Sequence, residues 1–176
     1  MLDAAETAFA ESGFAGASME SIASDSGITK ALLYQYFGSK EGLYVACVER
    51  SRSDLFERIA AAAEAAEGPV ERLHAITGLY FEDLLALRGG PVVLYGDAPR
   101  AAVDQMRARN AETIAAILRM DYGDADEDSV QLVAHLIVGA GEQVGRWWVT
   151  RPELPVEQVT ARFTRAIGTA VQAGLR

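Results

Sequence analysis

Three features of this chain of 176 residues predict an all-α fold. Apolar residues recur at three- and four-residue steps in almost every segment, which is the period of an amphipathic helix. Strand-like alternation is nearly absent. The helical segments begin and end at serine, threonine, glycine and proline, the residues typical of helix ends. Half of the residues are apolar, so the chain can bury a core of ordinary size.

Three short helices are predicted at the amino end, each ended by a glycine. The first runs from residue 1 to about residue 12, with Leu2, Ala5 and Phe9 on one side. Ser18 and Thr29 are expected to cap the next two helices, and Ser39 the helix that follows them, because their side-chain oxygens can accept from backbone amides. The glycines that end these helices are Gly13, as a left-handed cap, Gly27 and Gly38.

Longer helices are predicted in the rest of the chain, over about residues 39–67, 69–88, 99–120, 129–150 and 155–173. The stretch PVVLYGDAP is compatible with a strand or a short helix, and we interpret it as a short helix or turn because no partner strand is predicted. The acidic run DYGDADEDS lacks the glycine and glutamate that a calcium loop requires. We therefore expect a solvated loop that leads into a helix amino terminus.

The segment from Ser18 to Tyr44, SMESIASDSGITKALLYQYFGSKEGLY, has the helix starts and ends that are typical of a helix-turn-helix DNA-binding motif. Leu33 and Phe37 can share the buried face of its second helix, which leaves the remaining side chains for DNA. Amide groups at the start of that helix can meet phosphate or base edges. The candidate DNA-contacting residues are Ser18, Thr29, Lys30, Leu32, Tyr34, Gln35, Tyr36 and Lys40.

Charge restricts how this motif can bind. The formal net charge is −9, and residues 1–50 contain three basic residues against seven acidic ones. A general electrostatic attraction to nucleic acid is therefore excluded, and any DNA contact must be local. The caps stabilise helices whatever else they do, and the two tyrosines are compatible with half-buried packing as well as with DNA contact.

The run LDAAETAFAESGFAGASMESIASDSGITKALLYQYFGSKEGLY resembles the DNA-binding domain of the TetR family of transcriptional regulators. The resemblance implies a homodimer, a ligand pocket in the larger domain, and release of DNA when that pocket fills. It also assigns DNA contact to Tyr34 and Tyr36. Family members commonly carry a basic stretch before the first helix, whereas this sequence begins MLDAAE. If no such arm precedes Met1, we expect weaker affinity and a shallower salt dependence.

We accordingly predict a helix-turn-helix domain over residues 1–44 and a larger helical domain for ligand binding and dimerisation over residues 45–176. Aromatic walls with a few polar groups are typical of small-molecule pockets, although ordinary core packing accounts for such residues equally well. The candidate ligand residues are His74, Tyr80, Phe81, Tyr95, Met106, His135, Trp147 and Trp148. The last two helices are apolar enough for a dimer interface or for packing within the chain, and the candidate interface residues are Val133, Ile137, Gly141, Val144, Trp148, Val159, Phe163 and Ile167.

The predicted function is a ligand-responsive repressor that binds a pseudo-palindromic operator as a homodimer. The alternative is a small helical enzyme or ligand carrier, but two distant histidines and one cysteine do not form a recognisable catalytic motif.

We expect no cofactor and no metal site. Cys47 is interpreted as a small buried residue or a redox sensor. The acidic amino terminus does not fit a secretory signal and no apolar run reaches membrane-spanning length, so we expect a cytoplasmic protein.

Overall fold

The fold was analysed in a computed structural model that describes residues 1–86 and 99–175, without the side chains of residues 51, 52 and 86. The described residues form helices joined by short turns, and they contain no strand. The all-α prediction is confirmed. The helices are α1 (Leu2–Gly16), α2 (Met19–Asp25), α3 (Lys30–Phe37), α4 (Lys40–Ala65), α5 (Pro69–Ala86), α6 (Arg100–Asp121), α7 (Glu127–Val149) and α8 (Val156–Gly174).

The described residues fall into two compact units. The amino-terminal unit comprises residues 1–53 and 99–106, and the carboxy-terminal unit comprises residues 54–86 and 107–175. Helices α4 and α6 each contribute residues to both units. The predicted domain boundary between residues 44 and 45 falls inside α4 and stays a prediction.

The amino-terminal unit is built around an aromatic group. The ring of Tyr44 packs edge-on against Phe9 and Phe14, at centroid distances of 5.1 and 5.4 Å. Cys47 is also buried there, and loss of solvation raises the pKa of its thiol to about 12. A protonated, buried thiol reacts slowly, which favours the interpretation of Cys47 as a small apolar residue over a redox sensor.

Helix α1 differs from the prediction at its carboxyl end. Gly13 adopts φ 68° and ψ 177°, so the helix is broken at the expected residue. It then resumes for one more turn to Gly16, and the amide of Ala17 donates to the carbonyl of Gly13 at 3.2 Å. The glycine is therefore a kink within α1 and not its end.

The carboxy-terminal unit has α5, α7 and α8 packed against one another, with the largest contact between α5 and α8. Phe81 lies at the centre, edge-on to Trp148 at 5.7 Å and to Phe163 at 5.4 Å. The indole of Trp148 donates from Nε1 to the carbonyl of Leu154 at 2.8 Å, which satisfies the polar atom of a fully buried ring.

A buried arginine joins three helices of this unit. Arg72 of α5 donates from Nε to the carbonyl of Ala63 at 2.6 Å and from Nη2 to that of Ala66 at 2.9 Å. Its Nη1 donates to the carboxylate of Asp121, at the end of α6. The guanidinium thus satisfies carbonyls at the end of α4, which have no partner within a helix, and neutralises a half-buried carboxylate.

Some predictions concern residues 87–98, which lie outside the described residues. They include the proposed ligand residue Tyr95, the glycine and proline stop at 89–91, and the short helix or turn at PVVLYGDAP. Among the residues that are described, no helix is long and apolar enough to cross a membrane.

Candidate nucleic-acid interface

The predicted caps of the helix-turn-helix are confirmed. Ser18 Oγ accepts from the amide of Glu20 at 3.2 Å, and Thr29 Oγ1 accepts from the amide of Leu32 at 3.2 Å. Ser39 Oγ accepts from the amide of Gly42 at 3.0 Å. Each cap satisfies a backbone donor that has no partner within its helix, so the sequence fixes where α2, α3 and α4 begin.

Two glycines explain the FGSKEG part of the motif. Gly38 adopts φ 72°, a left-handed conformation that lets the chain leave α3 and enter the cap of α4. A Cβ atom built on Gly42 would lie 2.1 Å from the carbonyl oxygen of Phe37. Only glycine allows this close approach between the end of α3 and the first turn of α4.

Helix α3 presents a largely polar and aromatic outer surface. Leu33 is fully buried and Phe37 is half-buried, as the spacing predicts. Tyr34 and Tyr36 are 41% and 64% exposed, which excludes the alternative that both are half-buried packing residues of this unit. The other candidate DNA residues are also at the surface: Ser18, Thr29, Lys30 and Gln35 are exposed, and Leu32 and Lys40 are half-buried. Their contact with DNA stays a prediction.

Every basic residue among the first 50 has an acceptor within the amino-terminal unit. Lys30 Nζ lies 2.9 Å from Glu20 Oε1, a hydrogen bond that raises the lysine pKa. Lys40 donates to the carbonyl of Ala15 at 3.3 Å and stands over the ring of Phe14. Arg50 pairs with two carboxylates of α1, those of Asp3 at 2.7 Å and Glu6 at 2.5 Å. These cations are available to DNA only in competition with internal partners.

The described ligand candidates differ in their surroundings. Tyr80, Phe81 and Trp148 belong to the aromatic core of the carboxy-terminal unit, whereas Met106 is buried in the core of the amino-terminal unit. Trp147 is 45% exposed. His135 is exposed, with Nδ1 2.9 Å from the carbonyl of Gln131. His74, also exposed, lines an open groove of about 380 Å³ between α5 and α8.

A buried carboxylate in α7 was missed by the sequence analysis. Glu142 is 5% exposed, and its Oε2 accepts from Nε of Arg107 at 2.8 Å and lies 3.6 Å from Nη2 of Arg146. Its Oε1 is buried and has no hydrogen-bond partner among the described residues. The spacing of Glu142 and Arg146 by one turn, in the carboxy-terminal half of a helix rich in apolar residues, is the signal that could have found it.

Most of the predicted interface residues lie in the packing of the subunit itself, and their part in a dimer interface stays a prediction. All of them except half-buried Val144 are buried inside the subunit, because they face the packing of α5, α7 and α8. A Cβ atom on Gly141 would lie 3.5 Å from the Tyr80 ring, an ordinary packing distance, so this glycine faces the core of its own subunit. The exposed apolar side chains of α7 are instead Leu132, Leu136 and Trp147.

No group of three or more residues able to hold a metal ion occurs among the described residues. The acidic loop behaves as the sequence predicts: Asp126 caps α7 through the amide of Ser129 at 2.9 Å, and Glu127 and Asp128 lie in its first turn. These carboxylates stabilise a helix amino terminus.

Comparison with known proteins identifies relatives of both units. Residues 1–47 match the family described as bacterial regulatory proteins, tetR family, and residues 81–169 match the family described as tetracyclin repressor-like, C-terminal domain. A solved TetR-like transcriptional regulator from Rhodococcus sp. RHA1 is 30% identical, with a TM-score of 0.63 over 97% of this chain and 93% of that chain.

Two further relatives carry functional descriptions. The transcriptional activator FasR of Mycolicibacterium smegmatis is 26% identical over 92% of this chain and 75% of its own length. The regulator FadR of Bacillus subtilis, solved in complex with stearoyl-CoA, has a TM-score of 0.66 over 99% of this chain and 97% of that chain. At 18% identity, this second likeness shows a shared fold.

Proposed function

This chain belongs to the TetR family of transcriptional regulators, and we propose that it is a homodimeric repressor that a small molecule releases from a pseudo-palindromic operator. Members of this family regulate transcription and are not enzymes. The main support for this proposal is the surface of α3. This capped helix is held in place by Leu33 and Phe37 and exposes two tyrosines. Such a regulator acts in the cytoplasm, where bacterial DNA is accessible.

Tyrosine suits an interface with DNA because its ring can pack on sugar or on a thymine methyl while its hydroxyl reaches a phosphate. The 64% exposure of Tyr36 has no structural benefit for the unit itself, since a large aromatic side chain in water loses the free energy of burial. Thr29 and Lys30 lie at the amino end of the same helix, where backbone amides attract anions.

The proposed dimer interface is the exposed apolar stripe of α7, defined by Leu132, Leu136 and Trp147. Spacings of four and eleven residues place these side chains on one side of the helix, and their exposed fractions are 67%, 45% and 45%. Gly139 lies between them, and a Cβ atom there would meet nothing within 4 Å. A second copy could bury these apolar groups and bring two recognition helices to half-sites about one helical turn apart, as a pseudo-palindrome requires.

We further propose a long-chain acyl thioester as the effector. The fold of FadR, which was solved in complex with stearoyl-CoA, is shared by this chain. The core around Phe81 is apolar but closely packed, so an acyl chain would have to displace buried side chains there. Ligand binding in the carboxy-terminal unit would act through α4, which is continuous from Lys40 to Ala65 and has residues in both units. A coupling of about 1–3 kcal/mol would lower operator affinity roughly 5- to 150-fold.

A gel-shift assay with DNA fragments from around the protein's own gene tests operator binding. We expect retarded complexes at low salt that disappear when stearoyl-CoA is added, with free coenzyme A and stearate as controls. A dimeric, full-length sample that binds none of these fragments would favour the rival ligand carrier. Transcription from the bound promoter, measured with and without the protein, then separates a repressor from an activator.

Light scattering tests the α7 stripe. We expect the wild-type chain to be a dimer, and a Leu132→Glu, Leu136→Glu variant to be a folded monomer, because two buried charges would lack partners. Met120→Glu is a matched control, since Met120 is a 50% exposed apolar residue of α6 outside the stripe. A double variant that stays dimeric would exclude this face as the interface.

A further inference from the structure

Glu20 places a negative charge beside the start of the recognition helix α3. It lies in the first turn of α2, and its Oε1 accepts from Nζ of Lys30, the first residue of α3, at 2.9 Å. The two side chains are 75% and 43% exposed, so the pair lies at the protein surface. A phosphate that approaches Lys30 therefore meets the Glu20 carboxylate as well.

The pair offers DNA little net charge. A carboxylate and an ammonium in contact cancel beyond a short distance, and salt screens what remains over about 10 Å at 0.1 M ionic strength. The other basic side chains of residues 1–50 do not compensate for this loss, because Lys40 and Arg50 have acceptors of their own. The extent to which Glu20 neutralises Lys30 should therefore have a large effect on DNA affinity.

We propose that Glu20 sets the DNA affinity of this protein by holding Lys30 and cancelling its charge at the phosphate backbone. The inference rests on the proposed DNA binding and adds a residue that restrains it. A different role would be positioning, in which Glu20 directs the ammonium towards a phosphate. The two roles predict opposite effects of removing the carboxylate.

Four proteins separate these roles: wild type, Glu20→Gln, Lys30→Gln and the double variant. We expect Glu20→Gln to bind DNA more tightly, since Lys30 becomes a free cation. Lys30→Gln should bind more weakly, because the carboxylate is left unpaired. The double variant should return close to wild-type affinity, because the removed pair has no net charge. Circular dichroism verifies that all four are folded.

The salt dependence gives a second readout. A freed Lys30 adds one phosphate contact, so the slope of log affinity against log salt should steepen by about 0.9 in Glu20→Gln. Its advantage over wild type should then shrink about 3.5-fold between about 50 and about 200 mM salt. Glu153→Gln, an exposed residue of the carboxy-terminal unit, makes the same change in net charge and should leave affinity and slope unchanged.

Fluorescence anisotropy with a fragment from around the protein's own gene, and with a scrambled duplex of equal length, measures these quantities. Equal weakening in both single variants, with no further loss in the double variant, would establish positioning and overturn the proposal. Unchanged affinity in Glu20→Gln would also overturn it while leaving the function intact. Failure of the wild type to bind either duplex would overturn both.

Discussion

The two units of this protein differ in how deeply their paired charges are buried, although the carboxy-terminal unit also has surface pairs such as that of Arg119 with Glu127. In the amino-terminal unit, Lys30 and Arg50 pair with carboxylates at the surface, where their side chains are 43% and 40% exposed. In the carboxy-terminal unit, the side chains of Arg72 and Glu142 are only 9% and 6% exposed. A surface pair can open at small cost, whereas a buried charge that loses its partner is strongly destabilising.

This difference matches the two roles proposed for the units. A DNA-binding surface benefits from cations that can exchange a carboxylate for a phosphate. A domain that transmits ligand binding needs helices that move together, and the buried contacts of Arg72 connect α4, α5 and α6. Under these proposed roles, surface charge would adjust DNA binding in the amino-terminal unit, while buried charge would fix helix positions in the carboxy-terminal unit.

The largest expected effect is that of Arg72→Met. The substitution keeps apolar bulk but leaves the Asp121 carboxylate without its cation, and breaking a buried pair in this way costs about 3–5 kcal/mol. Urea unfolding followed by tryptophan fluorescence measures it, because both tryptophans lie in the carboxy-terminal unit.

Two controls test whether burial causes this loss. Arg50→Met removes a cation that also contacts two carboxylates, but at the surface of the other unit, and should change stability far less when unfolding is followed by circular dichroism, which reports on both units. Arg72→Met combined with Asp121→Leu removes both charges and should recover part of the stability. Equal destabilisation by Arg72→Met and Arg50→Met would remove the distinction between the units.

Tyr36→Ala tests the other side of the comparison. Because Tyr36 is 64% exposed, its loss should leave unfolding almost unchanged. We expect a loss of about 1–3 kcal/mol in DNA binding free energy, comparable to other specific contacts to DNA. Gel-shift titration measures the loss, with Tyr122→Ala of the carboxy-terminal unit as the control. Wild-type affinity in Tyr36→Ala would exclude this residue from the interface.

The sequence predicted the amino-terminal unit in detail because its structure is local. Ser18, Thr29 and Ser39 each accept from an amide two or three residues away. The residues near each cap are therefore enough to predict where the helix starts. The Glu20 to Lys30 pair escaped prediction because its members lie ten residues apart and meet only through the angle between α2 and α3.

The carboxy-terminal unit was predicted only as a set of helices. An apolar stripe on a helix indicates a buried face, but its spacing does not say which helix covers it. For Ile137 and Phe163 the sequence accordingly left a dimer interface and packing within the chain as alternatives, and the structure shows both side chains buried within their own subunit. The Arg72 to Asp121 pair spans 49 residues and depends on packing that no local pattern encodes.

Thr29→Ala should have a smaller effect, divided between stability and DNA binding. Loss of an N-cap costs about 1 kcal/mol, and α3 has only eight residues to absorb it. Thr29→Ser keeps the accepting oxygen and should keep the stability. Thermal denaturation followed by circular dichroism compares the two variants. A serine variant as unstable as the alanine variant would show that the cap oxygen is not what stabilises α3.

The effect expected to be smallest at neutral pH concerns Cys47, a buried titratable residue in the core of the amino-terminal unit. Loss of solvation, followed by the nearby Glu6 carboxylate, raises its pKa from 9.0 to about 12. The unfolded thiol then releases its proton above pH 9 while the folded thiol retains it, so stability should fall between pH 9 and 12.

Cys47→Ala should lose this pH dependence, although it also lowers stability at every pH by removing buried volume. Reaction with iodoacetamide near neutral pH gives a direct measure, because the thiolate is the reactive form. We expect the folded protein to react much more slowly than the unfolded chain. Rapid alkylation of the folded protein would mean that Cys47 is accessible and ionisable, and the amino-terminal unit would then regain a candidate redox sensor.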